Sequence, residues 1–599
     1  MKVITADFET YYDKEYSLSK LSTEEYIRSE KFETVGVSVK VDDEPAVWFS
    51  GTKEQTKEFL SRYNWSDCAV VTHNAMFDMA ILNWHFGIKP GKIIDTLSMA
   101  RAVCGPNVSV SLKNLAERFG VGAKGDEVIN ALGKERRDFT TTDLQRYGEY
   151  CCNDTELTYQ LFLRLVKDFP VSELKLIDMT IRMFSEPVLD LDQAALLAHL
   201  SFVRHRKEDL LKSVVTSQEV LMSNPKFAEA LKVMGVEPPT KVSPTTGKET
   251  WAFGKTDEGF KALLEHEDVY IQTLVAARLG VKSTLEETRT ERFIGIAKRG
   301  KLPIPLRYYA AHTGRWGGSD KINLQNLPRA SLLKHAIVAP KGYVMIDSDS
   351  SQIEARTLAW LAGQQDLVDA FERGEDVYKI MSSKLYWKPI SEITKDERFV
   401  GKTVVLGAGY GIGWKKFQAH LKSNKVEISD EVSENIIKTY RQSHSKIPAL
   451  WKQGDRALEA IAGNSFMEIG VLKVEGNKGI RLPNGLYLNY PGLRRSSDGF
   501  EYDTKKGKSI VPNKIYGGKV IENVTQALAR IIIGEQMIKV SRKYRVVLTV
   551  HDAIGCVVPE GEASTGQEYV EMCMRIRPDW ALDLPLNCEA GTGKSYGEC

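Results

Sequence analysis

Three segments in the first 160 residues carry acidic side chains that could share a cation. Asp7-Phe8-Glu9 closes an apolar run, Val3-Ile4-Thr5-Ala6, that reads as a buried strand. Side chains alternate along a strand, so Asp7 and Glu9 point the same way. Two like carboxylates side by side repel, and one pKa rises unless a cation sits between them. That makes the pair a candidate metal site. Another acid, Asp78, ends Thr72-His73-Asn74-Ala75-Met76-Phe77-Asp78, just inside a helix that follows a strand. Tyr150 and Asp154 stand four apart and share a helix face. Plain structural roles exist for these two: Asp78 as a helix-start acid favoured by the macrodipole, Tyr150 as a packed aromatic.

A second set lies in the later part of the chain. Tyr343-Val344-Met345-Ile346-Asp347 reads as a buried strand running on to Asp349, and Ser350-Ser351-Gln352-Ile353-Glu354-Ala355-Arg356 opens a helix. Ser351 with Glu354 three residues on fits a capping box, which accounts for both structurally. Val546-Val547-Leu548-Thr549-Val550 is a second buried strand, with His551-Asp552 at its end and Ile554 to Val558 as its hairpin partner. By spacing alone, Asp347 rivals Asp349. Between these strands Arg398, Lys402, Leu406 and Tyr410 recur every four residues. Each step drifts about 40° around a helix, so they line one broad face. Two cations followed by a large apolar and an aromatic side chain suit a nucleoside triphosphate, with phosphates at the cationic end. An amphipathic helix with solvated cations is the alternative. Gly401, Gly407, Gly409 and Gly411 are costly in a helix and call for close approach by another backbone or a ligand.

The elements that must position these groups divide the chain. Its 599 residues allow roughly three or four domains. With 42% hydrophobic and 27% charged residues it reads as globular rather than disordered or collagen-like. No stretch reaches about 18 uninterrupted apolar residues, which excludes a membrane span, and no targeting peptide is visible. Eight scattered cysteines without zinc spacing favour a reduced, cytosol-like compartment. The net charge of +2 hides a first domain of about −5 and a remainder of about +7, compatible with a polyanionic partner. Up to about residue 165, short strands alternate with helical runs, Val35 to Val41 and Ala69 to Thr72 among the strands. A long helix opens at Thr141-Thr142-Asp143, and Phe169-Pro170 closes it. Residues 171–310 are mostly helical, interrupted at 237–256 by loops or a small hairpin, and mixed strands and helices follow. Gly591-Thr592-Gly593-Lys594-Ser595 lacks the earlier glycine of a phosphate loop, Cys588 standing there, and reads as a terminal loop.

Taken together, Asp7 and Glu9, Asn74 to Asp78, and Tyr150-Cys151-Cys152-Asn153-Asp154 resemble the three motifs of the DEDDy 3′–5′ exonucleases. Four acids can hold two divalent ions about 4 Å apart, one activating water and the other stabilising the leaving oxygen. The resemblance gives Asp7, Glu9, Asp78 and Asp154 to the metals and Tyr150 to the attacking water. The rest of the chain resembles an A-family DNA polymerase of the bacterial DNA polymerase I type, most of all its bacteriophage members. Asp349 to Arg356 matches motif A, Arg398-x-x-x-Lys402-x-x-x-Leu406-x-x-x-Tyr410-Gly411 motif B, and Val550-His551-Asp552 motif C. Thr313-Gly314-Arg315 with Asn323-Leu324-Gln325-Asn326-Leu327-Pro328 matches a primer–template segment, and Lys282-Ser283-Thr284 a thumb signature.

The resemblance implies a multidomain protein of α/β and α+β class. An RNase H-like exonuclease domain (1–170) precedes a right-hand polymerase: thumb and polymerase start (171–310), then palm and fingers (311–599, fingers about 365–450). It implies no 5′-nuclease domain. Asp349, Asp552 and the Ser350 carbonyl would hold two Mg²⁺, for which Mn²⁺ substitutes. Arg398 and Lys402 would grip the triphosphate, with Lys402 the general acid for pyrophosphate. Glu354 and Tyr410 would exclude a ribose, with Glu354 one helical turn from Asp349. Gln352 and Leu406 complete the nucleotide site, with Tyr378 where relatives carry a phosphate-contacting His. Arg315, Gln325, Asn326, Gln526 and His551 would contact primer–template, mostly through backbone and minor groove. The substrates would be dNTPs, primer–template DNA and, in the exonuclease site, a single-stranded 3′ end. A monomer in a host cytoplasm is implied, with helicase, primase or single-strand-binding protein as partners.

Four departures bear on nucleotide selection rather than on the reaction. Ser350 stands where motif A usually has Tyr, Leu406 where motif B has Phe or Tyr, and Ala553 where Glu follows His-Asp. Asn523 lies three residues before Gln526 instead of four, leaving Glu522 in the Asn frame. A single-subunit RNA polymerase shares the palm acids, but Glu354 and a fused proofreading domain argue against it. A DNA-binding protein with a degenerate polymerase domain is disfavoured by Asp349, Lys402, Tyr410 and Asp552.

Overall fold

The computed structural model describes all residues except 106, 125–130, 213–216, 244–246, 255–256, 267, 283–284, 329–330, 424–425 and 507–508. Ser283 and Thr284 of the expected thumb signature lie outside the described residues. The chain forms two units: Met1–Leu189 with Pro303–Leu327 and Ala339–Cys599, and Asp190–Leu302 with Pro328–Val338.

Apolar runs of strand length build the first sheet of the larger unit. Its five strands are β1 (Lys2–Thr10), β2 (Thr34–Val41), β3 (Val47–Phe49), β4 (Cys68–Thr72) and β5 (Lys92–Asp95), in the order β3-β2-β1-β4-β5. The central β1 runs antiparallel to β2 and parallel to β4. β4 is buried along its whole length, as a strand covered on both faces must be. The helix α1 (Ala75–Phe86) follows β4. The 25-residue α2 (Thr141–Leu165) starts on Thr140, whose hydroxyl and the Asp143 carboxylate form a capping box. α2 packs across β1 and β2 and so lays its Tyr150–Asp154 stretch over the strand end that carries Asp7 and Glu9. After Pro170 comes α3 (Val171–Ser185).

The second sheet is antiparallel, in the order β7-β8-β6-β9. Its members are β6 (Tyr343–Ser350), the hairpin β7 (Arg545–Val550) and β8 (Ala553–Pro559), and β9 (Cys588–Gly593). β9 corrects the sequence reading of 591–595 as a terminal loop. Gly591 and Gly593 belong to the edge strand, and a Cβ at either would strike Cys599 or Glu598. Helices α4 (Ile353–Ala362), α5 (Val377–Tyr386), α6 (Lys395–Ala408) and α7 (Gly517–Val540) share one large buried core. The helix α8 (Ala563–Arg575) covers β6 and β9.

Two local expectations are overturned. Ser351 and Glu354 form no capping box: α4 begins at Ile353 behind Gln352, which sits at φ 54° without a side-chain cap. Glu354 therefore lies on a helix separate from the strand of Asp349. The α6 helix stops at Ala408, and Tyr410 follows in a tight turn, its N–H reaching the Gly407 carbonyl at 3.2 Å. The face shared by Arg398, Lys402 and Leu406 thus ends before Tyr410. Two of the four glycines are explained by packing: a Cβ on Gly401 would meet the Tyr378 carbonyl of α5 at 2.2 Å, and one on Gly409 would meet Leu358 at 2.7 Å. Gly411 sits at φ 82°, and Gly407 has no close contact to explain it.

A buried ion pair ties α3 to α7. Arg530 Nη1 lies 2.6 Å from Glu173 Oε1, both side chains almost fully buried. Asn484 and the Tyr308 hydroxyl complete the Glu173 carboxylate, and the guanidinium lies over Trp316 at 4.5 Å. Glu173 stays below the usual carboxylate range because its hydrogen-bonded cation outweighs burial.

The smaller unit holds long helices, Gln193–Lys212 and Leu285–Arg299 among them, and a hairpin of Thr240–Val242 with Glu249–Trp251. A separate small core, with Phe227, Phe253 and Phe260 at its centre, fills it. All eight cysteines are free. No described helix is long and apolar enough to cross a membrane.

Candidate functional site

Two acid clusters form in the larger unit. In the first, Asp7 and Glu9 leave β1 on one face, and oxygens of both lie within 4.8 Å of each other and of Cys151 Sγ. Asp78, 2% exposed on the first turn of α1, accepts the Phe8 N–H at 3.2 Å. The turn that aims it is built by Asn74 at φ 76° and by Asp95, which accepts the Asn74 and Ala75 N–H groups at 2.9 and 3.1 Å. Asn tolerates that left-handed backbone better than other side-chain-bearing residues do. Asp154, 6% exposed on α2, completes the set.

Burial drives the electrostatics here. It pushes Asp7 and Asp78 well above the carboxylate range, with neighbouring acids adding to both. Burial and the charge of Asp7 push Glu9 up to about 8, against a hydrogen bond from the Tyr147 hydroxyl at 2.8 Å. Asp154 is raised by burial and drawn back by Lys124, whose Nζ lies 2.5 Å from Oδ2. Its Oδ1 is buried with no hydrogen-bond partner among the described residues. Repelling carboxylates and an orphaned buried oxygen are what a divalent cation would satisfy, so the donor set fits one. Tyr150 stands beside Asp154, its ring 5.0 Å from the Lys124 ammonium.

The second cluster sits at a strand end. Asp349 pairs with Ala553 on β8 and Glu589 on β9, and the Ser350 N–H donates to the Asp552 carbonyl at 2.9 Å. That bond fixes the β7–β8 hairpin tip, where His551 takes φ 52°, against the end of β6. Asp349 is exposed and Asp552 about 28% so. Burial pushes Asp552 up to about 6, opposed by Arg315 and reinforced by Glu354 and Asp349. Asp347 lies two residues back, opposite Gly555 and Gly591, where its charge acts on Cys556, Tyr596 and Cys599. Alternation turns the Ser350 side chain away from the face of Asp349, and its hydroxyl is buried.

Arg315 stands between the cluster and α4. It pairs closely with Glu354 and approaches Asp552 Oδ1 at 3.7 Å. Tyr410 is nearly buried, and burial with the Glu354 charge pushes its phenol well up. Leu406, Tyr410 and Glu522 line a cleft of about 580 Å³ with Trp414 and Tyr516. On α6, Lys402 is exposed and makes no ion pair among the described residues. Arg398 is held at 2.6 Å by Asp376, the N-cap of α5, and its guanidinium lies over the buried Tyr378 ring at 5.3 Å. Burial pushes Tyr378 up to about 12. Gln352 precedes α4. Gln325 and Asn326 form a short helical turn, Gln526 reaches Glu522 at 3.4 Å, and His551 is exposed. Asn523, by contrast, turns inward to the Tyr490 hydroxyl.

The sequence reading missed Lys124, Tyr147, Cys151 and Asp376 as site residues. Tyr147 carried a signal, standing three residues before Tyr150 on one helix face. Asp376 carried the signal of an N-cap. Lys124, 30 residues from its partner, carried none.

Comparison with known proteins adds three findings. A family model described as DNA polymerase family A matches residues 209–463, and one described as 3′-5′ exonuclease matches 11–170. The chain is 23% identical to a DNA polymerase of Bacillus phage SP02, over 98% of each, and 24% identical to DNA polymerase I of Pseudomonas aeruginosa, over 79% of this chain and 50% of that one. A solved structure, the POL domain of Pol1 from M. smegmatis in complex with DNA primer-template and dNTP, superposes with a TM-score of 0.68 at 19% identity. It covers 100% of this chain and 96% of that one, and it carries the likeness of fold.

Proposed function

We propose that this chain, which belongs to the family A DNA polymerases and carries a 3′–5′ exonuclease domain, extends a primer on template DNA at Asp349 and Asp552 and trims single-stranded 3′ ends at Asp7, Glu9, Asp78 and Asp154. The carrying observation is the Ser350–Asp552 backbone bond, which brings Asp349 and Asp552 together at the open end of the sheet. Asp349, Asp552 and the Ser350 carbonyl in one cluster and Asp7, Glu9, Asp78 and Asp154 in the other would hold Mg²⁺, which would lower the pKa of an attacking oxygen and neutralise a departing one.

The chain's own residues supply the rest. Asp349, Asp552 and the Ser350 carbonyl offer hard oxygens at the open end of the sheet. Lys402, exposed and without an ion-pair partner among the described residues, meets the triphosphate and protonates pyrophosphate. Arg398 serves the phosphates from its Asp376 seat. Glu354 and Tyr410, electrically coupled and close, crowd the position of a ribose 2′-hydroxyl. Leu406 packs beside the sugar, and Gln352 and the buried Tyr378 support the pocket. The sequence reading gave Arg315 to DNA contacts. Its pairing with Glu354 makes it first a positioning residue for the sugar filter, from which it reaches the primer end. Gln325, Asn326, Gln526 and His551 face primer–template. In the exonuclease cluster Tyr150 orients the attacking water.

A labelled primer–template incubated with Mg²⁺ and deoxy- or ribonucleotides tests the reading. Templated extension with deoxynucleotides and shortening of the primer without them are expected. Extension with ribonucleotides alone, or none in folded protein, contradicts it.

A further inference from the structure

The exonuclease cluster contains one cation that no motif assigns. Lys124 Nζ lies 2.5 Å from Asp154 Oδ2 and 5.0 Å from the Tyr150 ring, and its charge is also felt by Asp7 and Glu9. The Lys124 side chain is only 25% exposed and Asp154 8%, so the pair is shielded from water and resists screening. The lysine is positioned, not incidental. Asn153, the neighbour of Asp154 on α2, donates its side-chain N–H to the Ala123 carbonyl at 3.3 Å and so pins the backbone just before Lys124. A loop and a helix 30 residues apart are stitched together at the point where the ammonium meets the acid.

We infer that Lys124 is a built-in counter-ion of the exonuclease site, one that occupies Asp154 in the metal-free protein and that a divalent ion must displace. This rests on the reading of Asp7, Glu9, Asp78 and Asp154 as the exonuclease metal site. Three features carry it. The ammonium contacts one of the four acids directly. It is the cation whose charge reaches three of them. The partner oxygen Oδ1 is buried without a hydrogen-bond partner among the described residues, so the Lys124 contact falls on the other carboxylate oxygen alone. A monovalent cation with one contact neutralises the acids incompletely, and a divalent ion bridging several of them does so better. The lysine thus sets a threshold: the site stays quiet until metal, with substrate, outcompetes it. The polymerase cluster lacks this arrangement, because Arg315 is engaged chiefly by Glu354 and stands 3.7 Å from Asp552.

The test is Mn²⁺ binding to the full chain, read by loss of the free-ion electron paramagnetic resonance signal. Asp349→Asn with Asp552→Asn silences the other cluster. In that background Lys124→Met should bind Mn²⁺ at least about tenfold more tightly, since a unit charge a few ångströms from the ion is gone. Lys124→Arg, which keeps the charge, should bind as the parent does. An unchanged or weakened affinity in Lys124→Met, or an equal gain in Lys124→Arg, overturns the inference. Asp7→Ala with Glu9→Ala separates the two levels. If it leaves Mn²⁺ binding untouched, the metal-site reading itself fails and this inference falls with it. If it abolishes binding while Lys124→Met changes nothing, the site stands and only the counter-ion role is lost.

Discussion

The two acid clusters solve one electrostatic problem in opposite ways. The exonuclease acids sit between a sheet and a long helix, so burial raises their carboxyls above the usual range, Glu9 to about 8. The polymerase acids sit at the open end of a sheet. Asp349 is exposed, Asp552 is only partly covered, and burial pushes its carboxyl up only to about 6. The closed cluster is preorganised by packing and carries its own cation. The open one rests on the pairing of β6 with β8 and β9, extended at the strand end by the Ser350–Asp552 backbone bond to the hairpin tip. We read the difference as a division of labour. A site that takes in one frayed strand end can be built shut, whereas a site that receives a duplex end and a triphosphate at every step has to stay open.

The strongest way to break the contrast is to attack what the clusters share. Glu173→Ala leaves Arg530 as a buried uncompensated cation. It should cost about 3–5 kcal/mol, lowering the thermal midpoint and taking both activities down together. Unfolding monitored alongside both assays checks this, and loss of one activity alone would show that the pair serves a single site.

The pH dependence sharpens the contrast. The folded pKa of Glu9, about 8, lies above its unfolded value of 4.5. Its stabilising contribution is therefore complete below about pH 4.5 and lost as pH rises through 8. Glu9→Gln should stabilise the metal-free protein relative to wild type at pH 8 and not at pH 4. For Asp552, with a folded value of about 6, the same loss is over by pH 7, so Asp552→Asn should give a gain that no longer grows between pH 7 and 8. Thermal melts of both variants in chelator across this range decide it. Parallel profiles would mean that the clusters do not differ in burial as described.

Two smaller effects probe the open site. Glu354→Ala removes the acid proposed to crowd the sugar and should raise ribonucleotide over deoxynucleotide insertion about 10–100-fold, about 1.4–2.8 kcal/mol. Because no capping box exists at this helix start, the change has no cap to lose, and a stability drop without a change in sugar choice would refute the filter. Leucine at 406 offers no hydroxyl to replace a missing 3′-hydroxyl. Leu406→Tyr should therefore relax discrimination against dideoxynucleotides by about tenfold. Single-turnover insertion of a dideoxy and a deoxy nucleotide measures the ratio, and an unchanged ratio removes Leu406 from the sugar.

The strands and the acids they carry were legible because a buried strand announces itself by apolar runs, and an acid at its end breaks the run. That is how Asp7, Asp349 and Asp552 stood out. What failed was local geometry set by tertiary context. Ser351 and Glu354 have capping-box spacing, yet the chain turns through left-handed backbone at Gln352 so that Glu354 can meet Arg315. Tyr410 keeps the four-residue rhythm, but the helix ends at Ala408, where Gly409 packs against Leu358 too tightly for a side chain. Gly591 to Ser595 looked like a terminal loop because two glycines hide a strand. Lys124 was invisible for another reason: it joins Asp154 across 30 residues, and no periodicity encodes a contact made by a loop.

The central claim is that two metal-dependent sites act independently in one chain. Its most direct test is one gel on which extension and single-strand degradation are followed side by side for the wild type and two variants. Asp349→Ala should abolish extension and spare degradation, and Asp7→Ala with Glu9→Ala should abolish degradation and spare extension. Loss of both activities from either change, in protein that melts as the wild type does, would contradict the account.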